Sequence, residues 1–284
     1  MIESLKVTVV VENTARMGVE GVLGKHGFCA LIEAKNKDYT VKVLLDAGPS
    51  PDVLLNNLKA LNLDLSGLDV IVVSHGHYDH TGGLLEALKM VEKPIPVIIH
   101  PDGLKPKFSS KPKLRYIGNP FQESDIEAEG GILVKVKSPV TIIDGLTTTG
   151  EIERATSYER PESFWTVEDG RYVEDLILDD QALVAKLTGK GLVVITGCAH
   201  SGIVNTILHS MKLTGSNRVH AVLGGFHLVD ADDERLIQTV ERLRELGVEM
   251  LRPGHCTGSK AVNLLTNVFG GRCKPLNAGD VIKF

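Results

Sequence analysis

Apolar residues recur along the chain in two rhythms. Short β-branched runs at 6–11, 28–33, 40–45 and 69–73 read as strands between turn residues, while 51–61 has the spacing of a helix. The run at 69–73 leads straight into Ser74-His75-Gly76-His77-Tyr78-Asp79-His80, after which Thr81-Gly82-Gly83 opens a helix predicted to reach Val91. Residues 100–130 mix Pro, Lys and Ser with little periodicity and read as an insertion or lid; 133–143 return to short strands, and 151–174 read as a polar loop. Residues 181–187 and 192–196 flank a Thr188-Gly189-Lys190-Gly191 turn and predict a hairpin. From there a helix (202–213), a strand (219–223), a helix (231–246), a strand (249–252) and a helix (259–269) follow in order. That alternation is the signature of a layered α/β architecture, and the lack of any low-complexity linker points to one domain over 1–284.

Composition adds limits. A chain of 284 residues, 43% hydrophobic, can bury a full core without a structural metal. The four cysteines, Cys29, Cys198, Cys256 and Cys273, contain no CxxC pair, which argues against a zinc ribbon or disulfide framework and for a reducing cytoplasm. The first residues include Glu3 and no apolar leader, and no run of about 18 apolar residues occurs anywhere, so neither export nor membrane spanning is expected. The net charge of −5, with both signs interspersed, offers no basic stripe to a nucleic acid; a small molecule is the expected partner.

The chemistry concentrates in His75-x-His77-x-Asp79-His80, four ligand-type side chains on a loop after a strand. Imidazole nitrogens and carboxylate oxygens suit zinc, and a catalytic ion takes about three protein ligands with one position open. Further candidates follow later strands: Gly197-Cys198-Ala199-His200-Ser201-Gly202, Gly224-Gly225-Phe226-His227 and Pro253-Gly254-His255-Cys256-Thr257-Gly258. Strand carboxyl ends are where an α/β sheet gathers its ligands, so these loops are expected to converge. His26, His100, His209 and His220 lack any such motif and are set aside.

The segment from Ser74 to Gly83 resembles the metal motif of the metallo-β-lactamase superfamily, and Leu44-Leu45-Asp46-Ala47-Gly48 resembles the strand and turn before it. The three later segments are similar to one branch, which includes dihydropterin-methyl-ribofuranosylaminobenzene-phosphate synthases of methanopterin biosynthesis and uncharacterised hydrolases. The resemblance implies a four-layer αβ/βα sandwich of two packed mixed sheets flanked by helices. It implies that His75 and His77 serve one ion, with His200 completing that side, while Asp79, His80 and His255 serve a second. His227 is then a further ligand or a substrate contact. Many members carry a bridging aspartate where this chain has Cys198, itself a potential thiolate ligand, so the expected content is one or two ions. The flavin-bearing diiron relatives place Glu where His77 stands, so His77 favours zinc over redox chemistry; manganese, iron and magnesium remain compatible with the ligand types.

These readings predict a metal-dependent hydrolase of a small anionic ester, with Asp79 and His80 at the reacting centre. Ser201 and Thr257 precede helices whose free N–H groups could bind an anion. Asp46 is expected to hydrogen-bond a metal histidine. Glu12, Asn13, Glu151, Asp180 and Gln181 fall on loops or strand ends that could line the pocket. The branch resemblance supplies an alternative, transfer of a pterin-methyl group from its diphosphate to an aryl phosphoribosyl acceptor. A non-catalytic, metal-holding binding module is a further alternative. The nuclease and β-lactamase uses of the fold are disfavoured by the lack of a basic surface and of an export signal.

Overall fold

A computed structural model describes residues 1–284. Along the chain run β1 (Ile2–Val11), β2 (Cys29–Asn36), β3 (Thr40–Leu45), α1 (Pro51–Ala60), β4 (Val70–Val72), α2 (Tyr78–Thr81) and α3 (Leu84–Val91). Next come β5 (Ile95–Ile99), β6 (Lys107–Ser109), β7 (Arg115–Tyr116), α4 (Glu123–Ala128), β8 (Gly131–Lys135), β9 (Thr141–Ile143), β10 (Leu146–Thr148), β11 (Phe164–Glu168) and β12 (Arg171–Glu174). The chain ends with β13 (Ala182–Leu187), β14 (Gly191–Thr196), α5 (Ile203–Thr214), β15 (Val219–Gly225), α6 (Asp233–Glu245), β16 (Met250–Gly254), α7 (Ser259–Phe269) and β17 (Val281–Lys283).

The two layers expected from the sequence are wings of one 13-stranded sheet in the order β16-β15-β14-β13-β1-β2-β3-β4-β5-β8. The wings join at a corner where Ile2 of β1 pairs with Leu187 of β13. Beyond the corner they part, because β17 takes over pairing with β1 and β10 with β13. Alternation of side chains at period two then sorts each strand between two cores. Val43 and Leu45 of β3, Val70 and Val72 of β4, Leu183 of β13 and Val193 of β14 face inward between the wings. Leu44 and Ile71 pack outward with residues of α1 and α3, and Val184 and Val194 outward with α5, α6 and α7.

Two stretches that read as irregular come together instead. Strands β6 and β7, from the expected insertion, pair with β11 and β12 from the expected polar loop into a separate four-stranded sheet, order β12-β11-β6-β7. Short strands with one polar face carry too little apolar periodicity to announce themselves. Strand β5 is hidden for another reason: Pro94 and Pro96 break its pattern, yet pairing with β4 begins only at Val97.

Leu183 is fully buried between the wings. Leu183→Ala is expected to cost about 3 kcal/mol in urea unfolding, in the range for large-to-small core changes. A loss under about 1 kcal/mol would show that the wings do not pack there.

Candidate metal centre and active site

The parallel strands set the site. β3, β4, β14, β15 and β16 all end at one edge, delivering Asp46, the 74–80 loop, Cys198 with His200, His227 and His255 to the same place. Four of these turns strain the backbone: Asp46, Ala199, His227 and His255 have φ of 59, 57, 46 and 49°. Left-handed conformations are rare outside glycine and collect at functional loops, where the surrounding packing holds them. Gly197 lets two loops touch, since a Cβ there would lie 2.1 Å from Ser74 Oγ and 2.8 Å from Asp46 Oδ2.

Two groups of donors result. His75 Nε2 and His77 Nδ1 are 3.0 Å apart, and a ligand atom of His200 lies within 4.8 Å of both residues' ligand atoms. In the second group His80 Nε2 is 3.1 Å from His255 Nε2, which is 3.3 Å from Asp79 Oδ2. Cys198 Sγ sits 3.1 Å from His80 Nε2 and within 4.8 Å of ligand atoms of both His75 and His200, so it stands between the groups. His227 joins Cys198 and His200 at the edge of the cluster.

Hydrogen bonds fix how these rings point. His80 Nδ1 donates to Asp46 Oδ2 at 2.7 Å. Ser74 Oγ donates to the same oxygen at 2.7 Å and stands 3.0 Å from His75 Nδ1, so one carboxylate orients a histidine in each group. Asn13 Oδ1 accepts from His255 Nδ1 at 3.0 Å, and the carboxylate of Glu12 accepts from the His255 backbone N–H. On the other side Gly76 N donates to Asp179 Oδ2 (2.7 Å), while Asp179 Oδ1 accepts from the buried Lys107 (2.7 Å), which also bridges to Asp175 (2.9 Å).

The electrostatics follow. Burial drives His75 and His200 well below the usual imidazole range and His77 down to about 3, so all three stay neutral, the ligand form. Burial pulls His80 down too, but the Asp46 and Asp79 carboxylates outweigh it and raise the ring to about 9. Burial would raise Asp79, yet the charge of His80 and hydrogen bonds from His255 and His26 hold it well below the usual carboxylate range.

A metal ion fits this donor set. With Nδ1 of both His80 and His255 committed as donors, their Nε2 lone pairs face each other at 3.1 Å, an arrangement that needs a proton or a cation between them. His77 Nε2 and both nitrogens of His200 are buried with no partner at all, a rare condition for polar atoms. Asp46 and Asn13 supply the outer hydrogen bonds that metal-binding imidazoles normally make.

The cluster opens on a cavity of about 640 Å³ lined by His77, Asp79, Cys198, His200, His227 and His255, and by Phe164, Tyr158, Lys111, Arg115, Arg160 and Arg235. The sequence pattern passes over His26, which lines it with Nε2 3.2 Å from Asp79 Oδ2; a lone histidine after a glycine-rich stretch carries no signal. Several expected pocket residues lie elsewhere. Ser201 and Thr257 are buried and do not line the cavity: Ser201 N donates to Asp180 Oδ2 (2.8 Å), and Thr257 Oγ1 donates to Gly254 O and accepts from Phe226 N. The N-terminus of α5 already holds an anion, because Glu159 accepts from Val204 N (2.9 Å) and Asn205 N (2.8 Å), and Gly202 makes room for it. Glu151 lies off the cavity beside His100 (3.5 Å) and Lys137. Gln181 holds Val73 O, and Asp180, pushed up to about 6 by burial against the opposing Ser201 bonds, braces the His200 loop.

Comparison with known proteins shows the family of the chain and its fold. The family model of the metallo-β-lactamase superfamily matches residues 24–204. The chain is 39% identical over 266 residues, 92% of its length and 90% of the relative's, to the 7,8-dihydropterin-6-methyl-4-(β-D-ribofuranosyl)-aminobenzene-5'-phosphate synthase of Methanocaldococcus jannaschii. An uncharacterised protein of that organism is 35% identical over 92% of this chain and 94% of its own. Among solved structures, Tm1679, a metal-dependent hydrolase of the β-lactamase superfamily, superposes with a TM-score of 0.81 at 30% identity over 98% of both chains.

Two expectations follow. Asp46→Asn should lower affinity for zinc about 10- to 100-fold, as loss of an outer carboxylate does elsewhere, read by chelator competition; unchanged affinity would deny Asp46 its orienting role. Lys107→Met should cost about 3 to 5 kcal/mol at pH 7 by stranding the buried carboxylates of Asp175 and Asp179. Asp179 is held below its ordinary value by Lys107 despite burial, so its contribution is present above the unfolded carboxylate pKa of about 3.9 and is lost as pH falls through the lower folded value. In the variant the remaining carboxylates gain from protonation, so its deficit in thermal melts should shrink at pH 4. A deficit independent of pH would place the loss in packing instead.

Proposed function

Given that the chain belongs to the metallo-β-lactamase superfamily, we propose that it is a metal-dependent synthase that joins a dihydropterin-methyl diphosphate to an aryl phosphoribosyl acceptor. One observation carries this reading: the donor cluster opens on a single cavity whose lining includes cationic side chains from two separate parts of the chain, Lys111 with Arg115 and Arg160 with Arg235. Two anionic reactants brought together need two such regions. The product is the one for which the 39%-identical M. jannaschii relative is named, and that relative spans nearly the whole chain.

In the reaction the acceptor's aryl amine forms a C–N bond to the pterin methylene carbon, the C–O bond to diphosphate breaks, and the amine gives up a proton. His75, His77 and His200 would hold one zinc ion, Asp79, His80 and His255 a second, with Cys198 between them. Zinc bound there would supply positive charge to stabilise the negative charge developing on the departing oxygen. Phe164, with its ring 5.4 Å from His77 and 5.1 Å from His200, excludes water beside the cluster. His227 lines the cavity with Nδ1 unpartnered and takes the amine proton there. Residues 1–284 act as one catalytic domain, with part of the 100–130 stretch, through Ser109, Lys111 and Arg115, closing one side of the cavity. A cytoplasmic location is part of this reading; no helix is long and apolar enough to cross a membrane.

A second reading, hydrolysis of a phosphorylated ester in the same cavity, is supported by the similarity to Tm1679. Elemental analysis of the purified protein and of His75→Ala/His80→Ala, with assays on both substrate types, separates the two. About two zinc ions per chain and metal-dependent release of diphosphate only when the aryl acceptor is present is the expected result. Phosphoester cleavage without condensation favours the hydrolase. A parent protein without metal, matched in every assay by the double variant, sinks both.

A further inference from the structure

Away from the donor cluster, the cavity has a corner built from the 158–160 segment and the first turns of α6. Arg160 and Arg235 line it, and neither is in an ion pair. The Arg235 guanidinium is braced by two backbone carbonyls, with Nη1 donating to Arg160 O (3.3 Å) and Nη2 to His227 O (3.4 Å), and its buried Nε has no partner. The Tyr158 hydroxyl, in the same lining, is also buried and unpartnered. Two forked cations and a free hydroxyl donor, with no anion spent on them, are the groups that recognise phosphate.

Asp230 and Glu162 also line the cavity, but neither is paired with Arg160 or Arg235, Glu162 instead facing Lys111 at 3.9 Å, and three further carboxylates near the corner are engaged elsewhere. Asp232 caps α6 by accepting from Arg235 N at 2.8 Å, and Glu234 accepts from Gln238 at 3.0 Å. Glu159, between Tyr158 and Arg160, is turned away onto the amides of α5, while Asn205 Oδ1 accepts from Ala155 N (2.9 Å) and Thr156 N (2.8 Å). The segment is therefore pinned to α5 before any ligand arrives, which reduces the ordering cost of binding. Burial pushes the Tyr158 hydroxyl up to about 12, so it remains a donor at neutral pH.

We propose that Arg160, Arg235 and Tyr158 form a subsite for a phosphomonoester dianion, distinct from the donor cluster. Resting on the two-substrate reading, this subsite holds the 5'-phosphate of the acceptor and leaves the diphosphate of the other reactant to the cluster. The ribosyl phosphate then serves as a handle that orients the aryl amine toward the reacting carbon.

The test is equilibrium binding to the zinc-loaded protein of 4-(β-D-ribofuranosyl)aminobenzene 5'-phosphate and of the same riboside without phosphate. The riboside should bind about 10- to 100-fold more weakly, the equivalent of one or two charge-assisted hydrogen bonds. Arg235→Met and Arg160→Met should each weaken the phosphorylated ligand toward the riboside's level, leave the riboside's affinity and the zinc content unchanged, and Tyr158→Phe should do so more mildly. Millimolar inorganic phosphate should compete with the phosphorylated ligand and not with the riboside. Equal or absent binding of the two ligands by the parent overturns the subsite. Equal weakening of both ligands in Arg235→Met also overturns it, since Arg235 would then only brace His227. Diphosphate release by the parent, measured separately, reports on the synthase reading whatever the binding shows.

Discussion

The Asp46 carboxylate holds the centre together. It is buried where the carboxyl ends of β3, β4 and β14 meet, accepts from Ser74 N and Oγ and from His80 Nδ1, and is almost touched by Gly197. Through Ser74 it reaches His75 in one donor group, and through His80 the other. A buried carboxylate is tolerated only when its lone pairs are filled, and here the filling groups are the ones that must be aimed. The charge it places behind His80 stabilises positive charge on that ring, whether a proton or a metal ion carries it.

Around this centre the structure uses buried polar groups to fix loops that strand pairing alone would leave free. Glu12 and Asn13 hold the strained His255, Asp180 holds Ser201 beside His200, and the Lys107 network ties the four-stranded sheet to the amide of Gly76. Each brace connects segments far apart in sequence, so donors gathered from four loops keep one geometry. The arrangement also explains why helix α5 offers no anion site. Glu159 fills its N-terminus, while Arg115, Arg160 and Arg235 line the cavity wall.

Cys198 gives the centre its particular character. It stands between the two donor groups, with its thiol against His80 and its backbone carbonyl accepting from Cys256. A thiol is a softer donor than the imidazoles and carboxylate around it, and soft donors suit zinc better than magnesium or manganese. All four cysteines are buried, and no disulfide occupies the Cys198 thiol.

Strand and helix periodicity, a histidine-rich run after an apolar strand and glycine-histidine turns after later strands were enough to determine the fold class and the segments that meet at the centre. These signals are local, because period-two burial and strand-end loops are written into neighbouring residues. The sheet of β6, β7, β11 and β12, the place of His26 beside Asp79 and the arginine corner were decided only by tertiary structure. Their strands are too short and polar to carry a pattern, and their residues come from segments whose proximity no spacing encodes. Ser201 and Thr257 show the converse. Their position before helices is legible in sequence, but which group satisfies a helix end depends on what packs there, and at α5 the carboxylate of Glu159, 45 and 46 residues away in the chain from the two amides it accepts from, does so.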